Sequence, residues 1–142
     1  MDDQTYTVNG FKAAAMNAGL RKGDGADLAL IFSDRPATAA GVFTTNQVKA
    51  APVLWTRQHL AGGKARAIVA NAGNANACTG APGLKDAGLT AEKTAAVLGI
   101  DPAEVMVAST GVIGARLNME RICAALPALA RALSPEGIPE AA

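Results

Sequence analysis

The sequence is short of large and reactive side chains. Among 142 residues, Phe, Trp and Tyr together supply five, His one and Cys two, and 18% are charged. A charged fraction below the roughly 25% of an average globular protein, beside an apolar half, excludes a long disordered chain. The 13 basic and 12 acidic residues are mixed along the chain and leave a net charge of +1. There is thus no electrostatic footprint for nucleic acid or an anionic membrane, and a small-molecule or protein partner is expected. No apolar run approaches the roughly 18 residues that a membrane span needs. The opening Met1, Asp2, Asp3, Gln4 lacks the basic start of a secretory signal, so a cytoplasmic location is expected. His59, after Arg57 and Gln58 in a polar stretch, reads as a surface histidine rather than a catalytic base. Cys78 and Cys123 form neither a metal-ligand spacing nor a C-x-x-C motif and read as buried or inert thiols. With no E-x-x-H spacing either, no metal site and no resident cofactor are expected.

What the chain has instead is 33 Ala and 15 Gly. Small side chains let elements pack with their backbones close. Such a core buries less area per residue, so at about 25 cal/mol per Å² its margin over chain entropy is thin. The composition therefore predicts that more protein packs onto this chain. Its length fits one domain or a large piece of one, at roughly 100 to 200 residues per domain.

Periodicity places strands at residues 27–32 (DLALIF) and 39–44 (AAGVFT), joined by a polar turn at Ser33, Asp34, Arg35 and Pro36. Residues 53–55 are a third apolar run. Residues 65–70 (ARAIVA) are a fourth, and their nearly continuous apolar character predicts a strand covered on both faces. A helix is expected over 90–98, with Thr90 as its cap, Glu92 and Lys93 on the wet side and Gly99 closing it. A strand at 105–108 and a loop at 109–114 follow. Residues 119–133 form a helical stretch capped by Asn118 and interrupted at Pro127, and 134–142 offer no further element. Strands and helices alternate, which makes the class α/β or α+β.

Two Gly-rich loops each follow an apolar strand, where open sheets commonly place ligand sites. In the first, residues 71–80 (NAGNANACTG), three Asn side chains can satisfy backbone groups and tolerate left-handed dihedrals. It is either an ordered turn held by its own amides or part of a site. It has neither the P-loop lysine nor G-x-G-x-x-G. In the second, residues 109–114 (STGVIG), a hydroxyl residue followed by glycine at a strand end can present an O–H and an N–H to an anion. The plainer reading is that Thr110 closes a local turn. Lys12, Lys22 and Arg116 read as solvated charge.

These blocks, in this order, resemble the ornithine acetyltransferases of arginine biosynthesis, also called glutamate N-acetyltransferases. Gly10, Phe11 and residues 27–30, then 41–53 (GVFTTNQVKAAPV), 71–80 and 109–114, carry the resemblance. It implies an α/β sandwich and a precursor that cuts itself into two chains, with a threonine at the new N-terminus of the second chain as nucleophile. That threonine would take the acetyl group from N2-acetylornithine and pass it to glutamate in a ping-pong scheme, its own amine acting as base. Some members also accept acetyl-CoA, so the implied small molecules are acetylornithine, glutamate and, as an alternative donor, acetyl-CoA. The resemblance implies that Thr110 and Gly111 form the oxyanion hole, with Ser109 shaping the turn. It also implies two copies of each chain. Residues 1–142 stop before the family's self-cleavage junction, so the sequence reads as the N-terminal, first-chain portion, lacking the nucleophile and inactive alone. A related self-processing amidase or aminopeptidase, and an inactive orphan fragment, are the competing readings.

Overall fold

The computed structural model describes residues 6–142, so Met1 to Gln4, read above for a targeting signal, lie outside the described residues. The elements run β1 (Phe11–Met16), β2 (Leu28–Thr38), α1 (Ala51–Leu60), β3 (Lys64–Asn71), α2 (Gly80–Leu98), a 3-10 turn (Pro102–Glu104), β4 (Val105–Ser109), α3 (Met119–Arg131) and α4 (Ile138–Ala141). The four strands form one sheet in the order β1-β2-β3-β4. The first two pairings are antiparallel and the third is parallel. The parallel pair needs a long crossover, which α2 provides. The class is therefore a mixed α+β fold, as alternation in the sequence predicts.

One face of the sheet holds the core. Leu28, Leu30, Ala67, Val69, Val105 and Val107 point from the strands toward Ala91 and Ala95 of α2 and Ile122, Leu126 and Leu129 of α3. The small residues keep α2 close. A Cβ on Gly88 would come 3.2 Å from Trp55 Cζ3, so glycine lets α1 and α2 touch. Helix α1 lies along the outer edge of β4. Trp55 Nε1 donates to Val105 O at 2.9 Å, and Thr56 Oγ1 donates to Val107 O and accepts from Val107 N. These bonds close an edge that would otherwise be left unpaired.

The opposite face is covered only at its margins. The cross-strand row Ala13, Ile31, Ile68, Met106 is buried at its two ends, but Ile68 is 44% exposed. The next row is Ala15, Ala29, Ala70, Ala108, an alanine in every strand. Strand β3 is thus buried on one face only within this chain, not on both. The helices α2 and α3 pack on one side; on the other, Ser134 bridges to Ala13 and α4 lies against β1 and β2.

Several local expectations give way. Residues 33–36 are not a turn between strands: β2 continues to Thr38, with a register shift between Phe32 and Ala37 that absorbs Pro36. Arg66 donates to the carbonyls of Ser33 and Asp34 there. Residues 39–44 form no strand, and 53–55 lie in α1. Strand β1 was not anticipated. Helix α2 starts ten residues before Thr90, whose hydroxyl is no cap but donates to Asp86 O inside the helix. Asn118 does cap α3, accepting from Arg121 N, and Gly99 closes α2 at φ 67°. Pro127 does not interrupt α3. It sits on the exposed side of a continuous helix, and α4 adds a turn where no element was expected.

Candidate active site

Strand polarity brings three loops to one end of the sheet. Met16 pairs with Leu28, Leu28 with Asn71 and Asn71 with Ser109, so residues 17–27, 72–79 and 110–118 leave from the same edge. Asp27, 3% exposed, gathers the first loop by accepting the N–H groups of Ala18 and Leu20 at 2.6 Å and of Arg21 at 3.1 Å. This folds Leu20 over the second loop. Gly73 has φ +113°, and a Cβ there would come 2.7 Å from Leu20 O. Gly111 has φ +127°, and its Cβ would strike the Gly73 carbonyl and Asn74 N. The three segments stack through two glycines that no other residue can replace without strain.

The second and third loops are zipped together. Thr110 N donates to Asn71 O, Val112 N to Gly73 O, Ala75 N to Val112 O and Gly114 N to Ala77 O, each at 2.9 Å. The parallel ladder of β3 and β4 thus runs on past the strands. The Asn side chains hold the second loop as the sequence suggests: Asn71 Nδ2 donates to Asn74 O, Asn74 Nδ2 to Arg116 O and Asn76 Nδ2 to Gly83 O. Asn76 and Cys78 take left-handed backbone, at φ 48° and 56°.

Within this frame Thr110 and Gly111 are exposed. Among the described residues, neither Thr110 Oγ1 nor the Gly111 N–H has a hydrogen-bond partner. Both N–H groups flanking Gly111 are committed to the second loop, so its own N–H and the neighbouring hydroxyl stay free as a pair of donors. A cleft of about 260 Å³ opens beside Thr110, floored by Ala15, Ala29 and Ala70 and walled by Asp27, Ala72 and Glu140. Ser109 Oγ is buried without a partner among the described residues. A pair of fixed donors at the rim of such a cleft can accept a developing oxyanion.

The charges resolve differently from a solvated surface. Arg116 forks onto the buried Asp86, with Nε to Oδ2 at 3.0 Å and Nη2 to Oδ1 at 2.7 Å. The hydrogen bond first, and the carboxylate charge second, raise the guanidinium pKa above its ordinary value. Lys12 pairs with Asp34 at 2.9 Å, while Lys22 is exposed as expected. Sequence reasoning missed Asp27 and Asp86. The signal for Asp27 was its place after a glycine-rich loop; Asp86 left none. His59 stacks on Trp55 at 4.0 Å near the end of α1 and is partly exposed, with its Nδ1 2.9 Å from Trp55 O. Cys78 is exposed, not buried, whereas Cys123 is partly buried and its thiol pKa is raised by that burial, against a smaller lowering by Lys93. No group of three or more His, Cys, Asp or Glu among the described residues could hold a metal.

The fold has solved counterparts. The ornithine acetyltransferase from Mycobacterium tuberculosis, complexed with ornithine, superposes with a TM-score of 0.93 at 45% identity, covering 100% of this chain and 78% of that one. The arginine biosynthesis bifunctional protein ArgJ from Bacillus halodurans gives 0.87 at 38% identity, covering 98% and 72%. The fold class is thus the mixed α+β architecture of these two solved chains. The ArgJ family model matches residues 12–142, and this chain belongs to the ArgJ family. Among curated relatives, the arginine biosynthesis bifunctional protein ArgJ of Symbiobacterium thermophilum is 54% identical over 136 residues, which are 94% of this chain and 34% of the relative. That of Streptomyces coelicolor is 49% identical over 136 residues, 95% of this chain and 36% of the relative. The chain spans about a third of the length of these relatives.

Proposed function

We propose that this chain supplies the oxyanion-binding side of an acetyltransferase site that moves acetyl from N2-acetylornithine to glutamate, in arginine biosynthesis and in the cytoplasm. The observation that carries the reading is the free donor pair, Thr110 Oγ1–H and Gly111 N–H, held at the rim of a cleft by a loop that can be built only with glycine at 111. The nucleophile is the N-terminal threonine of a second chain, and two copies of each chain assemble. Two features support a second chain. The sheet's outer face exposes Ile68 and offers a floor of alanines that another backbone can approach closely. This chain also covers 78% of the solved Mycobacterium tuberculosis chain but 34% of a curated relative, a difference that a protein divided into chains would produce.

In the proposed reaction the threonine hydroxyl attacks the acetyl carbonyl of acetylornithine. A C–O bond forms, the hydroxyl proton passes to the threonine's own amine, and the carbonyl electron pair moves onto oxygen, where Thr110 and Gly111 hold it. Collapse breaks the C–N bond, and the departing ornithine amine takes the proton. The glutamate amine then attacks the acetyl ester, the same donors hold the second oxyanion, and N-acetylglutamate leaves with the threonine restored. Acetyl-CoA can load the threonine by the same route, with the thiolate as leaving group. No step needs a metal or a resident cofactor. This chain alone does not turn over.

The test is native mass spectrometry of the chain recovered from its own cells, followed by an acetyl-transfer assay of whatever is recovered. A second chain beginning with threonine, and ornithine release that requires glutamate, are the expected results. Steady ornithine release without glutamate would make the protein an amidase. The 142-residue mass alone, without activity, would make it an orphan fragment.

A further inference from the structure

Behind the donor pair runs a chain of hydrogen bonds that ends on a rigid helix. Asn71 O accepts the Thr110 N–H at 2.9 Å, and Asn71 Nδ2 donates to Asn74 O at 3.0 Å. Asn74 Nδ2 donates to Arg116 O at 2.8 Å, and the Arg116 guanidinium forks onto Asp86. Asp86 lies in α2, 3% exposed. A carboxylate buried that deeply is costly unless paired, and the forked arginine is the pairing that tolerates burial best.

Asn74 is the hub of this chain. The residue before it, Gly73, accepts the Val112 N–H, and the residue after it, Ala75, donates to Val112 O. Its own carbonyl and amide side chain reach Asn71 and Arg116. A rotation of Asn74 therefore swings both partners of Val112, the residue that follows Gly111. Gly111 has no side chain with which to fix itself. An oxyanion donor acts only within about 2.7–3.1 Å of the oxygen it serves, and misplacement by about 1 Å can cost 10²-fold in rate.

We propose that Asn74 is a positioning residue, tied through Arg116 to Asp86, which fixes the direction of the Gly111 N–H and so tunes the oxyanion site. The proposal rests on the oxyanion reading above. Asn74 touches no reacting atom and acts through the loop it holds.

The test uses two measurements and the variant Asn74→Asp, which keeps the shape but replaces the donor facing Arg116 O with an acceptor. Amide hydrogen exchange on the 142-residue chain, or on its complex, reads the tie without reference to activity. Exchange at Val112 and Ala75 should speed up at least about tenfold, while Val69 and Val107 in the strands stay as protected as before. Unchanged protection at Val112 and Ala75 overturns the proposal. In the assembled enzyme, Asn74→Asp should lower kcat per acetylatable threonine by about 10- to 100-fold with KM for acetylornithine within about twofold. Arg116→Lys, which keeps charge but loses the fork, should fall between wild type and Arg116→Ala. A loss of melting temperature and of active sites at unchanged kcat per site would mean a merely structural role and would also overturn it. Thr110→Ala separates the two claims. If Thr110→Ala slows the enzyme and Asn74→Asp does not, positioning fails alone; if neither slows it, the oxyanion reading fails and takes positioning with it.

Discussion

Replacing Gly111 with alanine tests the loop architecture without any assay of function. At φ +127° an L-residue is strained by about 1–3 kcal/mol. The new Cβ would also collide with the Gly73 carbonyl and Asn74 N, which are backbone atoms and cannot rotate away. Relieving the collision separates the two loops and weakens the bonds from Thr110 N to Asn71 O and from Val112 N to Gly73 O. Each is worth about 0.5–1.5 kcal/mol. The expected loss is about 2–6 kcal/mol in all, or a fall in Tm of roughly 6–24 °C for a chain of this size. Gly114 is the matched control. Its φ of +83° is also left-handed, but a Cβ there meets nothing within 4 Å. Gly114→Ala should therefore lose only the strain, about 1–3 kcal/mol. Urea denaturation of both variants, read by circular dichroism and by hydrogen exchange at Thr110 and Val112, makes the comparison. Equal losses in the two variants would refute the claim that the loops meet at Gly111.

Ser109→Ala should leave stability unchanged or raise it, by up to about 1–3 kcal/mol, because it removes a buried hydroxyl that has no partner among the described residues. A loss beyond about 1 kcal/mol in urea unfolding of the assembled protein would mean that the proposed second chain supplies the partner. The two thiols should separate in a timed alkylation. Cys123 holds its proton to higher pH than a free thiol because burial penalises the thiolate, so raising the pH deprotonates it later. Exposed Cys78 should be modified first at pH 8, and preferential labelling of Cys123 there would contradict the burial argument.

How much of this was legible in the sequence depends on the residue. Strands β3 and β4 were readable because Val and Ile recur in short runs bounded by Gly-rich loops. The caps at Asn118 and Gly99 were readable because they are local devices. Strand β1 (FKAAAM) was not, since alanine carries no strand preference and packs there only because its partners in β2 approach closely. The early start of α2 was hidden by Gly80, Gly83 and Gly88, which lower helix propensity yet are needed for contact. Cβ atoms at Gly83 and Gly88 would meet Thr79 and Trp55. Pro36 mimicked a turn because a bulge and Arg66 make room for it within β2. In the candidate site, the expectation of Thr110 and Gly111 rests on their order in the chain and on resemblance. The link from Asn74 to Asp86 was not, because its members lie far apart in sequence and meet only when α2 and the third loop are folded.

The central claim is that Thr110 and Gly111 hold the oxyanion, and the direct measurement is the rate of acetyl loading in the complex of this chain with the second chain proposed above. Thr110→Ala and wild type are mixed with excess acetylornithine, and ornithine release in the first turnover is followed by rapid quench. The account predicts a rate about 10² to 10³ lower for Thr110→Ala, with acetylornithine still bound and the melting temperature unchanged. A first turnover as fast as wild type would contradict it.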